Sequence, residues 1–178
     1  MKLHLGCGSK ILDGYVNIDA YVDDPLVSNF DILNLPYKDN SVDRVLAEHV
    51  VEHLPLVDEQ PFFLEARRVL KEGADLVIEV PDMEWLCQRF LEGADNFTTF
   101  YKVGEPAHYF GNGIDEWQRW GIITTHFWGN QNGAGQFHRN GYTLPKLERI
   151  GQLIGFRDTK VHKAHNKGAQ VLIAEFTK

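Results

Sequence analysis

Short apolar runs separated by glycine, proline and polar residues predict that the first half of the chain consists mostly of strands. Residues 2–5, 15–18, 26–30 and 42–47 each form such a run. Apolar runs of this length, bounded by turn residues, are typical of strands and too short for independent helices. We therefore predict four strands before residue 48.

The second half predicts helices that alternate with strands. The spacing of apolar residues predicts helices at 58–71, 83–91 and 143–154, and apolar runs predict strands at 74–80, 156–164 and 169–177. Gly73 is expected to cap the end of the first of these helices, while Thr143 and Gly155 are expected to bound the last. The strand at 74–80 is nearly continuous in β-forming residues, which is typical of an inner parallel strand. The order predicts an α/β fold.

Residues 93–142 depart from this pattern. They are rich in glycine and aromatic residues and show little periodicity. A disordered linker is poor in aromatic residues, and a long irregular segment in a domain is more often functional than connecting. We predict a single domain over residues 1–178 with a cap insertion at about 93–142. Its aromatic residues are interpreted as the cap's own small core in preference to a cage for the substrate.

Composition restricts the partners and the location. The chain has 25 Asp plus Glu against 18 Lys plus Arg, a net charge of −7, and no basic run longer than Arg67-Arg68. A nucleic-acid partner is therefore not expected. Cys7 and Cys87 do not suggest a disulfide framework. The sequence shows no leader and no apolar run near ~18 residues. We therefore expect a cytoplasmic protein without a membrane partner. The oligomeric state stays open.

A glycine turn and an acid mark the candidate binding site. Gly6-Cys7-Gly8-Ser9 follows the first predicted strand, and Asp19 ends the second. Strand, glycine turn, strand and acid form the layout of a nucleoside-binding crevice, because glycine lets backbone N–H groups approach a ligand and the acid accepts ribose hydroxyls. The dinucleotide fingerprint needs a third glycine where Ile11 stands. The pattern therefore disfavours an NAD-dependent oxidoreductase.

Longer stretches resemble one family. LHLGCGS and NID are similar to the first two motifs of the class I S-adenosylmethionine-dependent methyltransferases, and FDILNLPYKDNSVDRVLAEHVVEHL and VLKEGADLVIEVPD resemble their central segments. The similarity is closest to the type 11 group and covers 2–92 well and 141–177 moderately. It implies a Rossmann-like, mostly parallel seven-stranded sheet in the order 3-2-1-4-5-7-6, with the last strand antiparallel. The N-terminal helices that the family usually has are expected to be trimmed here, since Gly8 to Tyr15 leaves room for only a turn and one helical turn. It also implies an S-adenosyl-L-methionine-dependent methyltransferase that acts on an unidentified small-molecule acceptor.

The same resemblance assigns residues to the cofactor: His4, Gly6, Cys7, Gly8, Asp19, Ala20, Asp31, Ile32, Glu48 and His49. Asp19 is expected to accept the ribose hydroxyls, Asp31 to accept from the adenine amino group, and the Ile32 N–H to contact the ring. Glu48 and His49 are expected near the sulfonium. His4 stands where many family members have an acid, so the contact to the methionine amino group departs from the family's pattern.

Catalysis is assigned to histidines. Methyl transfer needs a general base only when the nucleophile keeps its proton until attack. His49 is expected as that base because of its place at the carboxyl edge of the sheet. His138 follows, because the segment before the GY-then-helix passage resembles the family's substrate loop. Further candidates lie at strand ends and in the cap: Glu79, Asp82, His108 and His126.

A metal site is not expected from the sequence. His49 and His53 are four residues apart, which on a helix would place them on one face. The HExxH pattern is absent, however, because Glu52 directly precedes the second histidine. Glu52 and His53 are therefore interpreted as structural. Two other functions stay open: a catalytically inactive relative that binds S-adenosylmethionine and, more remotely, a metal-dependent hydrolase that uses the histidine cluster.

Overall fold

The apolar runs assemble into one seven-stranded sheet in the computed structural model, which describes residues 1–92, 115–133, 135–166 and 169–178. The side chains of 116–120 and 122 lie outside that description. The strands are β1 (Lys2–Leu5), β2 (Val16–Ile18), β3 (Val27–Ser28), β4 (Val42–Glu48), β5 (Leu70–Pro81), β6 (Asp158–Asn166) and β7 (Ala169–Thr177). The helices are a 3-10 helix (Val51–His53), α1 (Leu56–Val69), α2 (Met83–Glu92), α3 (Glu116–Trp128) and α4 (Leu144–Ile154).

The sheet has the order β3-β2-β1-β4-β5-β7-β6. Strands β1 to β5 pair in parallel, and β7 runs antiparallel to both β5 and β6. The predicted fold class and strand order are therefore confirmed. Because parallel strands end at the same edge, the loops after β1, β2 and β4 meet there. This edge carries most of the predicted site residues.

The buried core holds these strand ends in place. Leu3 and Leu5 of β1 are fully buried, as are Val45 and Ala47 of β4. Helix α1 buries Phe62, Phe63, Ala66 and Val69. The ring centroids of Phe63 and Phe176 lie 5.5 Å apart, which packs α1 against β7. Since burying one large apolar side chain contributes roughly 1.5–3 kcal/mol, this packing fixes the strands that carry the site.

Helix α4 has the ends that the sequence predicts. The Thr143 hydroxyl accepts a hydrogen bond from the Lys146 N–H at 3.4 Å. At the other end, Gly155 has a φ of 83°, a left-handed conformation that glycine adopts without steric cost. The predicted N-cap and C-cap of this helix are therefore confirmed.

The prediction that Gly73 caps a helix is wrong. Helix α1 ends at Val69, and its C-cap residue Leu70 is already extended. Gly73, with a φ of 78°, lies within β5, where its N–H donates to the Lys178 carbonyl at 3.0 Å. The C-terminal residue thus supplies the partner that the sequence pattern assigned to a helix end.

The segments around β2 and β3 are shorter than the usual crossover units. Residues 6–15 hold turns and bends but no helix, in agreement with the expected loss of the helix that the family usually has after the first strand. Strand β3 spans two residues, whereas a strand over 26–30 was expected. Leu26 and Phe30 are exposed, because β3 is the edge strand and pairs with β2 alone.

Arg68 of α1 fixes the connector that leads from β3 to β4. Its guanidinium donates to the carbonyls of Leu35 (3.1 Å) and Tyr37 (2.8 Å) and to the carboxylate of Asp39 (2.7 Å). It also donates to both carboxylate oxygens of Glu65 at 2.7 Å. Such forked, charge-assisted contacts are the stronger hydrogen bonds of proteins. The connector is therefore held by one side chain from the neighbouring helix.

The structure describes part of the predicted cap, residues 115–133 and 135–142. Helix α3 packs on α2, with the rings of Phe90 and Phe127 5.6 Å apart. The N–H groups of Arg139 and Asn140 donate to the Glu52 carbonyl at 2.7 and 3.1 Å. Residues 93–114 lie outside the described residues, and the cap stays a prediction. Among the described helices, none is long and apolar enough to cross a membrane.

Candidate active site

The glycine turn after β1 forms the floor of the candidate site. Gly6 and Gly8 have φ values of 60° and 52°, in the left-handed region that side chains disfavour. A Cβ on Gly6 would lie 2.4 Å from Val50 Cγ2, so this glycine is required by the protein's own packing. A Cβ on Gly8 would meet no described atom within 4 Å. The backbone at Gly8 is therefore open to an approaching ligand.

Asp19 connects this turn to the end of β2. Its Oδ2 accepts the Gly8 N–H at 2.9 Å, and its Oδ1 accepts the Tyr21 N–H at 2.8 Å. A carboxylate offers about four acceptor positions, so about two remain for other donors. Asp19 thus orders the turn and can still accept ribose hydroxyls.

His4 lies beneath the site as a buried, hydrogen-bonded residue. Its Nδ1 lies 3.2 Å from Asn17 Oδ1, and its Nε2 lies 3.7 Å from Glu48 Oε2. Burial lowers the pKa of His4, against the opposing effects of Asn17 and Glu48. Glu48 also accepts from Lys10 Nζ at 2.5 Å. Lys10 and Asn17, which the sequence reasoning did not select, are thus part of this edge.

Cys7 supports the turn and is not activated. Its N–H donates to the Ile18 carbonyl at 3.1 Å, which continues the pairing of β1 with β2. The side chain is buried, and burial raises the pKa of the thiol. A thiol with a raised pKa is a poor nucleophile at neutral pH.

The residues expected at the ribose and adenine lie in the loops that follow β2 and β3. Ala20 is exposed directly after Asp19. Asp31 is exposed, and its Oδ1 accepts the Leu33 N–H at 2.9 Å, a local turn contact. Ile32 is half-buried against the core. Nothing in these contacts selects adenine, so the roles of these three residues stay predictions.

His49 is held between two carboxylates at the end of β4. Its Nδ1 lies 3.0 Å from Glu52 Oε1, and its Nε2 lies 3.0 Å from Glu79 Oε1. Its φ of 54° is in the left-handed region, and its N–H donates to the Glu79 carbonyl at 2.8 Å. Partial burial lowers the pKa, but the hydrogen bonds to Glu52 and Glu79 outweigh it and raise the pKa of His49 to about 10. At neutral pH the ring is therefore a cation.

The second predicted catalytic residue, His138, lies in a different setting. Its Nδ1 contacts the His126 carbonyl at 3.0 Å, and its ring centroid lies 4.8 Å from that of His53. Burial lowers the pKa of His138, so the ring is neutral. Since a carbonyl only accepts, Nδ1 carries the proton and Nε2 carries the lone pair. His138 lines a small cleft together with Glu52, Asn140 and Tyr142.

The remaining sequence candidates divide into structural and unassigned residues. Asp82 is fully buried, and its Oδ1 accepts the N–H groups of Glu84 and Trp85 at the start of α2, so it caps that helix. The hydrogen bond to His49 lowers the pKa of Glu79, which therefore stays ionised. His126 contributes its carbonyl to His138. His108 lies outside the described residues.

The sheet order, the glycine turn after β1 and the acid after β2 together define a methyltransferase-type α/β domain. Residues 19–78 match a family model described as a methyltransferase domain, of type 11. The match begins at Asp19 and ends in β5, so it covers the connector and β4 but not the glycine turn. With the topology, it confirms the resemblance to the class I S-adenosylmethionine-dependent methyltransferases, and the expected cofactor agrees with this class.

Three solved structures illustrate the similarity of the fold. One is a SAM-dependent methyltransferase, a possible histamine N-methyltransferase, from Thermotoga maritima, with 18% identity, a TM-score of 0.50 and coverage of 85% of this chain and 64% of that chain. Another is the 1,6-didemethyltoxoflavin-N1-methyltransferase of Burkholderia thailandensis with bound 1,6-didemethyltoxoflavin and S-adenosylhomocysteine (12% identity, TM-score 0.61, coverage 99% and 70%). A third is a SAM-dependent methyltransferase from Archaeoglobus fulgidus (15% identity, TM-score 0.59, coverage 99% and 85%).

These similarities concern the fold. At such low identity they do not carry a substrate over to this chain, which spans 64% of the Thermotoga protein. No curated protein sequence matches the chain at a significant level. The acceptor therefore has to be argued from the site itself.

Proposed function

We propose that this protein transfers the methyl group of S-adenosylmethionine to a small-molecule acceptor. The observation that carries the proposal is the open backbone at Gly8 beside a carboxylate, Asp19, that still has acceptor positions. The Burkholderia protein, which has the same fold, holds S-adenosylhomocysteine and 1,6-didemethyltoxoflavin.

The residues present fit the nucleoside part of the cofactor. The turn at Gly6 and Gly8 admits a ligand close to the backbone, and Asp19 accepts from the ribose hydroxyls. Asp31 and Ile32 would then contact the adenine ring, as the resemblance implies. Glu48, whose carboxylate lies at the end of β4, would attract the cationic end of the cofactor.

S-adenosylmethionine supplies a methyl group already activated by its positive sulfur. The protein's own contribution is then mainly orientation, since holding the acceptor at near-attack distance removes much of the barrier. On the acceptor side, His138 offers a lone pair on Nε2 and lies in a cleft with Asn140. We therefore propose His138 as the residue that accepts a proton from the acceptor.

His49 has a different proposed role from the base that the sequence predicts. Both of its ring nitrogens face carboxylates, so both must donate, and no lone pair is left for a proton. In this arrangement His49 orients Glu52 of the 3-10 helix and Glu79 near the end of β5. Its assignment to catalysis stays a prediction that turnover measurements on His49→Ala can test.

A second candidate function follows from the same geometry. A protein that binds S-adenosylmethionine without transferring the methyl group would need the turn and Asp19 but no base. The engagement of His49 by two carboxylates favours this candidate over a metal-dependent hydrolase built on His49. It predicts the same cofactor affinity and no turnover.

Calorimetric titration separates these functions. We expect S-adenosylmethionine and S-adenosylhomocysteine to bind and NAD not to bind. Methyl transfer is then followed with labelled donor and a panel of small hydroxyl, amine and heterocycle acceptors. Absence of binding by both nucleosides would contradict the proposal, and binding without transfer across the panel would support the inactive relative.

A further inference from the structure

Two histidines and a buried glutamate meet where the 3-10 helix after β4 contacts the segment before α4. The residues are Glu52 and His53, in the 3-10 helix after β4, and His138, which follows α3. One possible ligand atom from each lies within 4.8 Å of the other two. Because His138 is distant in sequence from Glu52 and His53, only folding brings the three residues together.

Glu52 is the unusual member of the cluster. Its side chain is 2% exposed, and Oε1 contacts His49 Nδ1 at 3.0 Å. In the part of the chain that the structure describes, Oε2 is buried and has no hydrogen-bond partner. A buried polar atom without a partner destabilises the folded protein, and a charged one does so more strongly. The free oxygen therefore indicates a bound cation or donor at this position.

Both histidines are oriented in the way that metal ligands usually are. His53 Nδ1 lies 3.1 Å from the Phe137 carbonyl, and His138 Nδ1 lies 3.0 Å from the His126 carbonyl. Because carbonyl oxygens only accept, each Nδ1 carries the proton, and a neutral ring then has its lone pair on Nε2. Metal-binding histidines commonly donate their second ring nitrogen to a backbone carbonyl in this manner.

We propose that Glu52, His53 and His138 bind one divalent transition-metal ion. Two imidazole nitrogens and one carboxylate oxygen form a ligand set typical of mononuclear zinc and iron(II) sites. Three protein ligands leave at least one position for water or another molecule. The ion would join the β4–α1 connection to the segment before α4, and it would give the buried Glu52 Oε2 a partner.

This inference goes beyond the proposed function and does not rest on it. S-adenosylmethionine binds at the glycine turn in the proposed function, whereas the three ligands lie at the cleft that Asn140 and Tyr142 also line. When the ion is bound, Nε2 of His138 is a metal ligand and cannot accept a proton. His138 is therefore the proposed proton acceptor only in the metal-free protein, and zinc is expected to lower turnover.

The test is a calorimetric titration with Zn²⁺ of the full chain, prepared without a histidine tag and stripped with a chelator. We expect one ion per chain and binding more than about 10-fold weaker in His53→Ala and in His138→Ala, since even outer-shell changes cost 10–100-fold. His162→Ala is the matched control, because His162 is exposed on β6. If the wild type did not bind Zn²⁺, or if both variants bound it with the affinity of the wild type, the proposal would be overturned.

A measurement on the wild type covers the case in which the variants do not fold. X-ray absorption of the zinc-loaded chain should show two imidazole ligands, and a spectrum without imidazole would overturn the site. Binding of S-adenosylhomocysteine to the metal-free chain is measured in parallel. That binding tests the cofactor crevice alone, so failure of one proposal is distinguished from failure of the other.

Discussion

Replacing Asp19 by alanine removes the carboxylate on which the cofactor proposal depends. Two of its acceptor positions are used by the N–H groups of Gly8 and Tyr21, which leaves about two for the ribose. Hydrogen bonds to a charged group contribute about 1.5–3 kcal/mol. Because Asp19 is partly exposed and water competes with the ribose for its carboxylate, we count this contribution once for both hydroxyls. The expected rise in Kd for S-adenosylhomocysteine is roughly 10- to 150-fold.

The variant also frees the Gly8 and Tyr21 N–H groups, so the affinity loss has to be separated from a loosened turn. A double-mutant cycle with the 2′-deoxy analogue of S-adenosylhomocysteine makes this separation. The wild type should bind the analogue more weakly than the parent ligand, whereas Asp19→Ala should bind the two almost equally. Asp13→Ala, which removes an exposed carboxylate from the same region, is the control and should leave both affinities unchanged.

Two results of this calorimetric experiment would refute the reasoning. An unchanged Kd in a folded Asp19→Ala variant would show that the carboxylate does not contact the ligand. Equal discrimination against the deoxy analogue by wild type and variant would show that any affinity loss comes from the turn and not from the ribose. Circular dichroism and the thermal midpoint establish that the variant is folded.

Three further predictions concern the packing of the site and its chemistry. Gly6→Ala should lower the thermal midpoint more than Gly8→Ala, because a Cβ at Gly6 would meet Val50 at 2.4 Å. Gly8→Ala should mainly weaken cofactor binding in calorimetry. The reverse order would contradict the assignment of Gly6 to packing and of Gly8 to the ligand. Arg68→Lys should lower the free energy of unfolding in urea by about 1–2 kcal/mol, since an ammonium group cannot reproduce the forked contacts of the guanidinium. The loss is kept small because the contacts are partly exposed and therefore screened by water. An unchanged urea midpoint would show that Arg68 does not anchor the connector. If His49 is a base, His49→Ala should reduce turnover far more than cofactor affinity, and equal turnover would exclude it.

The apolar pattern alone determined much of the fold. An inner strand of a parallel sheet is buried on both faces, so its apolar residues form a nearly continuous run, and such a run marks β5 as an inner strand. Thr143 and Gly155 bound α4 because the chemistry of helix ends is local. The same locality explains the glycine turn and Asp19, whose spacing is a property of adjacent segments.

Local reasoning was misled where a distant residue supplies the partner. Gly73 has the left-handed conformation of a helix cap, yet its N–H pairs with Lys178 at the other end of the chain. The short β3 could not be predicted from its own residues, because edge position depends on the arrangement of the whole sheet.

The histidines show what only the tertiary structure decided. In sequence, His49 and His53 suggested a shared face, but the strained backbone at His49 turns its ring to Glu52 and Glu79. His53 instead meets His138 from a distant segment. The sequence determined which residue types stand at the carboxyl edge of the sheet. The packing of the segment between α3 and α4 decided which of these residues contact each other. No local sequence pattern encodes the distances between them, and the positions of protons and possible ligands depend on those distances.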